Sequence, residues 1–215
     1  MTNSTQKVWA ILTKELGIRK NIERGLINNR ALAKYLIKEH NLKASLDSVI
    51  SAIRRYEMDK SVKDDNEAIK NIFKGCKIST KNNLACITLR RNSNIAKYLA
   101  ELHRFVDFDK GEVLRIIKGA ETLKVILDSD KVDDVMDLFQ KQDRISVKKD
   151  QVEISVEISI DAEKTKGVVA RVVNELLVKN INISEILCCV PEILVIVDQK
   201  DMLSAYEGLV ELARG

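Results

Sequence analysis

The feature that most constrains this chain is a repeat of about 70 residues that occupies roughly its C-terminal two-thirds. Ile78-Ser79-Thr80-Lys81-Asn82-Asn83-Leu84-Ala85-Cys86-Ile87-Thr88-Leu89 is echoed by Ile145-Ser146-Val147-Lys148-Lys149-Asp150-Gln151-Val152-Glu153-Ile154-Ser155-Val156. Both segments read as a short strand, a polar turn and a longer alternating strand, which predicts a hairpin. Helix-period apolar positions follow in each copy: Ile95, Leu99, Leu102 and Phe105, then Val168, Val169, Val172, Val173, Leu176 and Leu177. Strands are predicted over 111–117 and 122–127, matched by 182–190 and 193–197. A closing helix places Val132, Val135, Met136 and Phe139 against Met202, Ala205, Tyr206 and Leu209.

Each copy therefore reads β-β-α-β-β-α, a pattern that buries its apolar stripes as a four-stranded sheet covered on one face by two helices. The predicted class is α+β: an N-terminal helical, winged-helix-like domain, then two tandem ferredoxin-like βαββα modules, each with a preceding edge strand. Because no strand follows the last helix, Arg144 to Val147 is expected to fold back onto Val152 to Ile158 and fill the vacant edge. The expected boundaries are 1–60 for the head, 61–76 for a linker helix, 77–143 for the first module and 144–215 for the second.

The segments Val152-Glu153-Ile154-Ser155-Val156-Glu157-Ile158, Lys166-Gly167-Val168-Val169-Ala170-Arg171-Val172, Asn180-Ile181-Asn182-Ile183-Ser184-Glu185-Ile186 and Glu192-Ile193-Leu194-Val195-Ile196-Val197 resemble the ACT domains of aspartokinase regulatory regions. The resemblance covers most of 144–215 and, more weakly, 77–143. It implies modules that bind an amino acid or similar small molecule between them, pair into homo-oligomers and control something attached. Family members carry proline before the glycine of the first helix, where this chain has Lys166.

The candidate ligand site is the turn Ile160-Asp161-Ala162-Glu163-Lys164-Thr165-Lys166-Gly167 and the strand that follows the helix. A helix N-terminus presents unpaired N–H groups and partial positive charge to a carboxylate, and Gly167 keeps side-chain bulk away from that backbone. Asp161 can hold an amino group, and Asn182, beside Ile183, offers both donor and acceptor. The ligand-binding set is thus Asp161, Thr165, Lys166, Gly167, Asn182 and Ile183. Asp161 and Thr165 equally suit helix caps. The equivalent turn of the first copy, Arg90-Arg91-Asn92-Ser93-Asn94, has no glycine and reads as a partner surface, an anion contact or an exposed loop.

Residues 7–60 predict short helices at Lys7 to Glu15, Ile18 to Arg24, Asn29 to Glu39 and Ser45 to Met58, with Asn28 or Asn29 and Ser45 as N-caps. The turn His40-Asn41-Leu42-Lys43-Ala44 is short enough for a helix-turn-helix. Arg24 to Leu36 and Ser48 to Tyr56 resemble the head of an archaeal group of ACT-containing regulators and a winged-helix core. That likeness implies DNA binding through Lys43, Ser45, Ser48 and Ser51, with Arg54 and Arg55 on the backbone and Asp47 as an ill-fitting acid; a dimerising or protein-binding helical head is the other reading. The hairpin at 77–89 could instead serve as the wing.

Charge supports a division of labour. Residues 1–60 hold 12 Lys and Arg against 6 Asp and Glu, whereas 144–215 hold 9 against 12. A basic head on an acidic tail puts a polyanion such as double-stranded DNA at the head, although a lysine-rich solvated surface gives the same count. The sequence contains neither GxGxxG nor GxxxxGK[ST], so nucleotide chemistry lacks its phosphate cradle. His40 and His103 are isolated, and Asp133-Asp134 suits a helix dipole better than acid–base work. No catalytic residues, metal or cofactor are expected. Cys76, Cys86, Cys188 and Cys189 form no CxxC pair and are expected to be buried thiols. The polar start and the lack of a long apolar run indicate a cytoplasmic protein. The expected function is a non-catalytic, amino-acid-responsive transcription regulator, or else a metabolite-binding regulatory or scaffold subunit of a biosynthetic enzyme.

Overall fold

The computed structural model describes residues 4–23, 25–58, 60–91 and 95–214, with the side chains of 16, 20, 23, 60–66 and 95–97 left undescribed. The chain divides into two units, Met1–Asn66 and Glu67–Gly215.

The first unit is helical: α1 (Ser4–Lys14), α2 (Leu16–Glu23), α3 (Asn29–Glu39), α4 (Leu46–Met58) and the start of α5 (Lys60–Phe73). Apolar residues at helical spacing supply the core, with Val8, Leu12, Leu36, Val49 and Ile53 fully buried. Trp9 is half-buried, donates from Nε1 to the Ala52 carbonyl at 3.0 Å and meets Tyr56 edge-on at 5.7 Å. Asn28 caps α3 by accepting from the amides of Arg30 and Ala31, and the Ser45 hydroxyl accepts from Ser48 N–H at 3.3 Å, as their residue types predict. The segment offered as a wing lies elsewhere, as a strand of the second unit.

That unit is built on β1 (Lys77–Arg90), α6 (Ile95–Leu102), β2 (Leu114–Lys118), β3 (Thr122–Asp128), α7 (Val132–Asp137), β4 (Arg144–Glu157), α8 (Val168–Val178), β5 (Ile183–Cys189), β6 (Glu192–Asp198) and α9 (Met202–Arg214). The strands form one sheet in the order β2-β3-β1-β4-β6-β5. Both expected hairpins are corrected here. Residues 77–90 and 144–157 are each a single long strand, and the two pair antiparallel. Ile78 faces Val156 and Thr80 faces Ile154, while Ser146 faces Thr88 and Val147 faces Ile87. The short segment of each copy therefore lies beside the long strand of the other copy, and Arg144 to Val147 does not fold back onto 152–158. The polar "turns" are bulges: the register slips around Asn83 and Asp150, which take φ of +59° and +55°. Asn and Asp tolerate that left-handed region, and a bulge there sharpens strand twist without ending the ladder.

One face of the sheet carries the helices. Ala85, Ile87, Leu89, Val125 and Leu127 pack with Val132, Val135 and Phe139 in one core. Val152, Ile154, Val156, Val195 and Val197 pack with Val172, Leu176, Ala205 and Leu209 in the other. Of the expected α8 stripe, Val168, Val172 and Leu176 are buried, whereas Val169, Val173 and Leu177 are exposed.

On the opposite face, Leu84, Cys86, Val113, Ile126 and Ile196 bury one another. The sheet is curled onto itself there. Lys124 on β3 pairs with Glu185 on β5 although β1, β4 and β6 intervene in the strand order. In a flat sheet those strands would be about 19 Å apart, four spacings of about 4.8 Å. Arg115 on β2 likewise reaches Glu153 on β4 through two bonds of 3.1 and 2.9 Å, and Glu153 is 2% exposed.

Candidate functional site

The turn before α8 is made by local hydrogen bonds. Ser159 Oγ accepts from Asp161 N–H at 3.3 Å and opens a 3-10 turn over Ile160–Lys164; Thr165 Oγ1 donates back to the Asp161 carbonyl at 2.9 Å. Both side chains thus shape the turn ahead of the helix. The α8 N-cap is Gly167, with φ +86° and no side-chain cap. The first helical bond runs from Arg171 N–H to the Gly167 carbonyl at 2.9 Å. The N–H groups of Val168, Val169 and Ala170 therefore have no acceptor within the helix.

Beside these amides lies a pocket of about 250 Å³, lined by Ile158, Ala162, Thr165, Gly167, Val168, Val169, Ala170, Cys188 and Val190. Most of its lining side chains are apolar, and the first residues of α8 are among them. Such a site can take a small carboxylate on the helix N-terminus with an apolar body against Ile158, Ala162 and Val190. Of the predicted set, the pocket gathers Thr165 and Gly167. Asp161 is exposed and engaged with the Ser159 hydroxyl at 3.3 Å; Lys166 and Asn182 are exposed, and Ile183 packs at the edge of the core, all four outside the lining. Ile158, Ala162, Cys188 and Val190 were not singled out from sequence; Cys188 and Val190 come from a strand end some 20 residues further on, so only the fold shows their place.

The expectation of four buried thiols is corrected as well. Cys86 is buried and Cys76 half-buried, but Cys188 and Cys189 are exposed on β5, which pairs with β6 alone. Burial pushes the Cys86 thiol up, partly offset by Lys124 and Lys148, and burial likewise raises Cys76 against its backbone hydrogen bond. On the same curled face, hydrogen bonds from Lys148 (2.6 Å) and Gln151 (2.8 Å) hold the Asp198 carboxyl below its ordinary value.

In the first unit, Lys43, Ser45, Asp47, Ser48, Ser51, Arg54 and Arg55 are all exposed at the turn between α3 and α4 and along α4. Ser48, Ser51 and Arg55 share one stripe of the helix. Arg55 folds back on its own helix, with Nε to the Ser51 carbonyl and Nη2 to the Ser51 hydroxyl, both at 3.4 Å. Of the predicted first-copy turn, 90–94, residues 92–94 lie outside the described residues. Among the described residues no cluster of His, Cys, Asp and Glu has metal-binding geometry, and no helix is long and apolar enough to cross a membrane.

Neither a protein-family model nor a curated protein matches the sequence. Solved structures do. The aspartate kinase of Clostridium acetobutylicum aligns at TM-score 0.54 and 18% identity over 66% of this chain and 35% of its own, so the chain spans about a third of that enzyme. The regulatory subunits of aspartate kinase from Thermus flavus and Thermus thermophilus align at TM-scores 0.54 and 0.52, each at 16% identity, over 65% of this chain and 99% of theirs. The sheet-bearing unit, Glu67–Gly215, is the part large enough to supply most of that share. The chain thus combines helix and sheet in a fold like that of aspartate kinase regulatory regions, which supports the ACT resemblance read from its sequence.

Proposed function

We propose that the chain is a non-catalytic sensor of a small carboxylate metabolite, in the first instance an apolar amino acid, and that it takes this ligand at the N-terminus of α8. The observation that carries the reading is that Gly167, an N-cap with no side-chain hydrogen bond, and the first residues of α8 line a mainly apolar pocket of about 250 Å³. Thr165 and Gly167 form the turn, Val168, Val169 and Ala170 offer amides to the carboxylate, and Ile158, Cys188 and Val190 meet the rest. Asp161 and Lys166 belong to the turn beside this site and would reach a ligand only if it extends beyond the pocket, whereas Asn182 and Ile183 stand at the start of β5, the end away from Cys188. Likeness to kinase regulatory subunits favours regulation over catalysis. The modules are divided as two copies, 77–143 and 144–215, with exchanged edge strands, and they self-associate through exposed α8 residues such as Val169, Val173 and Leu177.

The output has two readings. The exposed group Lys43, Ser45, Ser48, Ser51, Arg54 and Arg55 favours double-stranded DNA, with phosphates meeting the arginines. The regulatory-subunit neighbours favour a protein partner of amino-acid biosynthesis. Titration of the full chain with random-sequence duplex DNA at several salt concentrations separates them: an affinity that falls linearly in log–log with salt supports the DNA reading, and no binding at low salt removes it. Ligand sensing is tested by melting the protein with each standard L-amino acid in turn.

A further inference from the structure

We propose that α5 is the element through which the α8 pocket acts on the rest of the chain, with Ile69 as the contact that reads the state of the Gly167 turn. This rests on the sensing reading above and specifies how an occupied site would be felt elsewhere.

The last two turns of α5 belong to the core that walls the pocket. Ile72 and Phe73 are 5% and 1% exposed, and Ile69 packs against the same cluster. Ile158, Ala162 and Val168 are members of that cluster and line the pocket too. The closest approach is at the ligand turn itself. A Cβ placed on Gly167 would lie 3.1 Å from Ile69 Cδ1, closer than ordinary van der Waals contact. Gly167 therefore touches the pocket on one side and, toward Ile69 of α5, leaves no room for a side chain on the other. An occupant that drives the Thr165–Val168 turn toward α5 closes the space in front of Ile69, and close-packed interiors pass such strain on rather than absorb it.

Helix α5 runs Lys60–Phe73, and the division between the units falls within it, after Asn66. The same helix is thus docked beside the pocket at one end and is the covalent path to the first unit at the other. An occupant shifts this docking only as far as it prefers one arrangement of α5 over another.

The test is a mutant cycle read by amide hydrogen exchange in the full chain. Gly167→Ala adds the close Cβ, and Ile69→Val removes the Cδ1 it would strike. Gly167→Ala carries the same backbone strain at φ +86° whether Ile69 is kept or replaced, so the difference between the two backgrounds isolates the contact. Gly167→Ala should speed exchange in the last turn of α5, including Lys74 N–H, which donates to the Lys70 carbonyl at 3.0 Å. The expected acceleration is on the order of tenfold with Ile69 in place and at most about twofold when Ile69→Val is also present. Should Gly167→Ala fail to fold, Gly167→Asn carries the same Cβ with a residue more tolerant of left-handed backbone. Equal acceleration in both backgrounds, or none in either, overturns the proposal. Failure of the sensing reading is seen separately, when no L-amino acid raises the melting temperature, and it leaves the outcome of the cycle decisive for the contact.

Discussion

Replacing Arg115 by Met tests the curled sheet where it is most exposed to contradiction. The Glu153 side chain is 3% exposed and receives both Nε and Nη2 of Arg115 at 3.1 and 2.9 Å. Methionine keeps much of the arginine stem's apolar bulk but leaves the carboxylate buried without its partner. Breaking such a pair costs about 3–5 kcal/mol. The low end, about 3 kcal/mol, is expected here because Arg115 is itself 35% exposed and water can partly replace it. For a unit of this size that corresponds to a melting temperature lowered by roughly 6–12 °C. Urea denaturation followed by far-UV circular dichroism measures it, with the transition of the first unit fitted separately because two units need not unfold together. The double variant Arg115→Met/Glu153→Met should recover most of the loss, since apolar replacement of a whole buried pair is often neutral. A single-variant cost below about 1 kcal/mol, the level of an exposed pair, would refute the claim that β2 and β4 enclose Glu153.

Three further outcomes follow from the same geometry. Asp198→Asn should flatten the acid limb of the stability curve: its lowered carboxyl contributes stability above the unfolded Asp value of about 3.9 and loses it as pH falls through the folded one, which pH-dependent urea midpoints will reveal. Thiol labelling at mildly alkaline pH should modify Cys188 and Cys189 first, Cys76 later and Cys86 last, because the thiolate reacts and burial raises the latter two; early labelling of Cys86 would contradict its place on the inner face. Leu36→Ala, which empties a fully buried site in the helical unit, should cost about 2–5 kcal/mol there while leaving the urea transition of the sheet unit in place.

The sequence made local pattern legible and non-local pairing much less so. The helix Asn29–Glu39 and its Asn28 cap follow from spacing and residue type within a dozen positions. The repeat was readable because Val132, Val135 and Phe139 recur as Met202, Ala205 and Leu209 on the same helical face. The strand exchange was not, for a physical reason. Lys148-Lys149-Asp150, with Asp150 left-handed, serves as a hairpin turn or as a bulge in a continuous strand, and only pairing with the other copy decides which. The pairing of Arg115 with Glu153, 38 positions apart, had no local signal either. At the site, Gly167 was legible as a glycine before an apolar helix, whereas Cys188 was misread as buried because alternation along β5 says nothing about its place at a sheet edge.

The central claim is that the uncapped α8 N-terminus binds a small carboxylate, and thermal melting with the L-amino acids, each at millimolar concentration, tests it most directly. A ligand at 100 times its dissociation constant adds about 2.7 kcal/mol, a rise of roughly 5–10 °C. Wild type should show that rise with at least one apolar amino acid, and Cys188→Phe, which fills the pocket from β5, should lose it while melting normally on its own. No rise with any amino acid, or an equal rise in Cys188→Phe, would contradict the account.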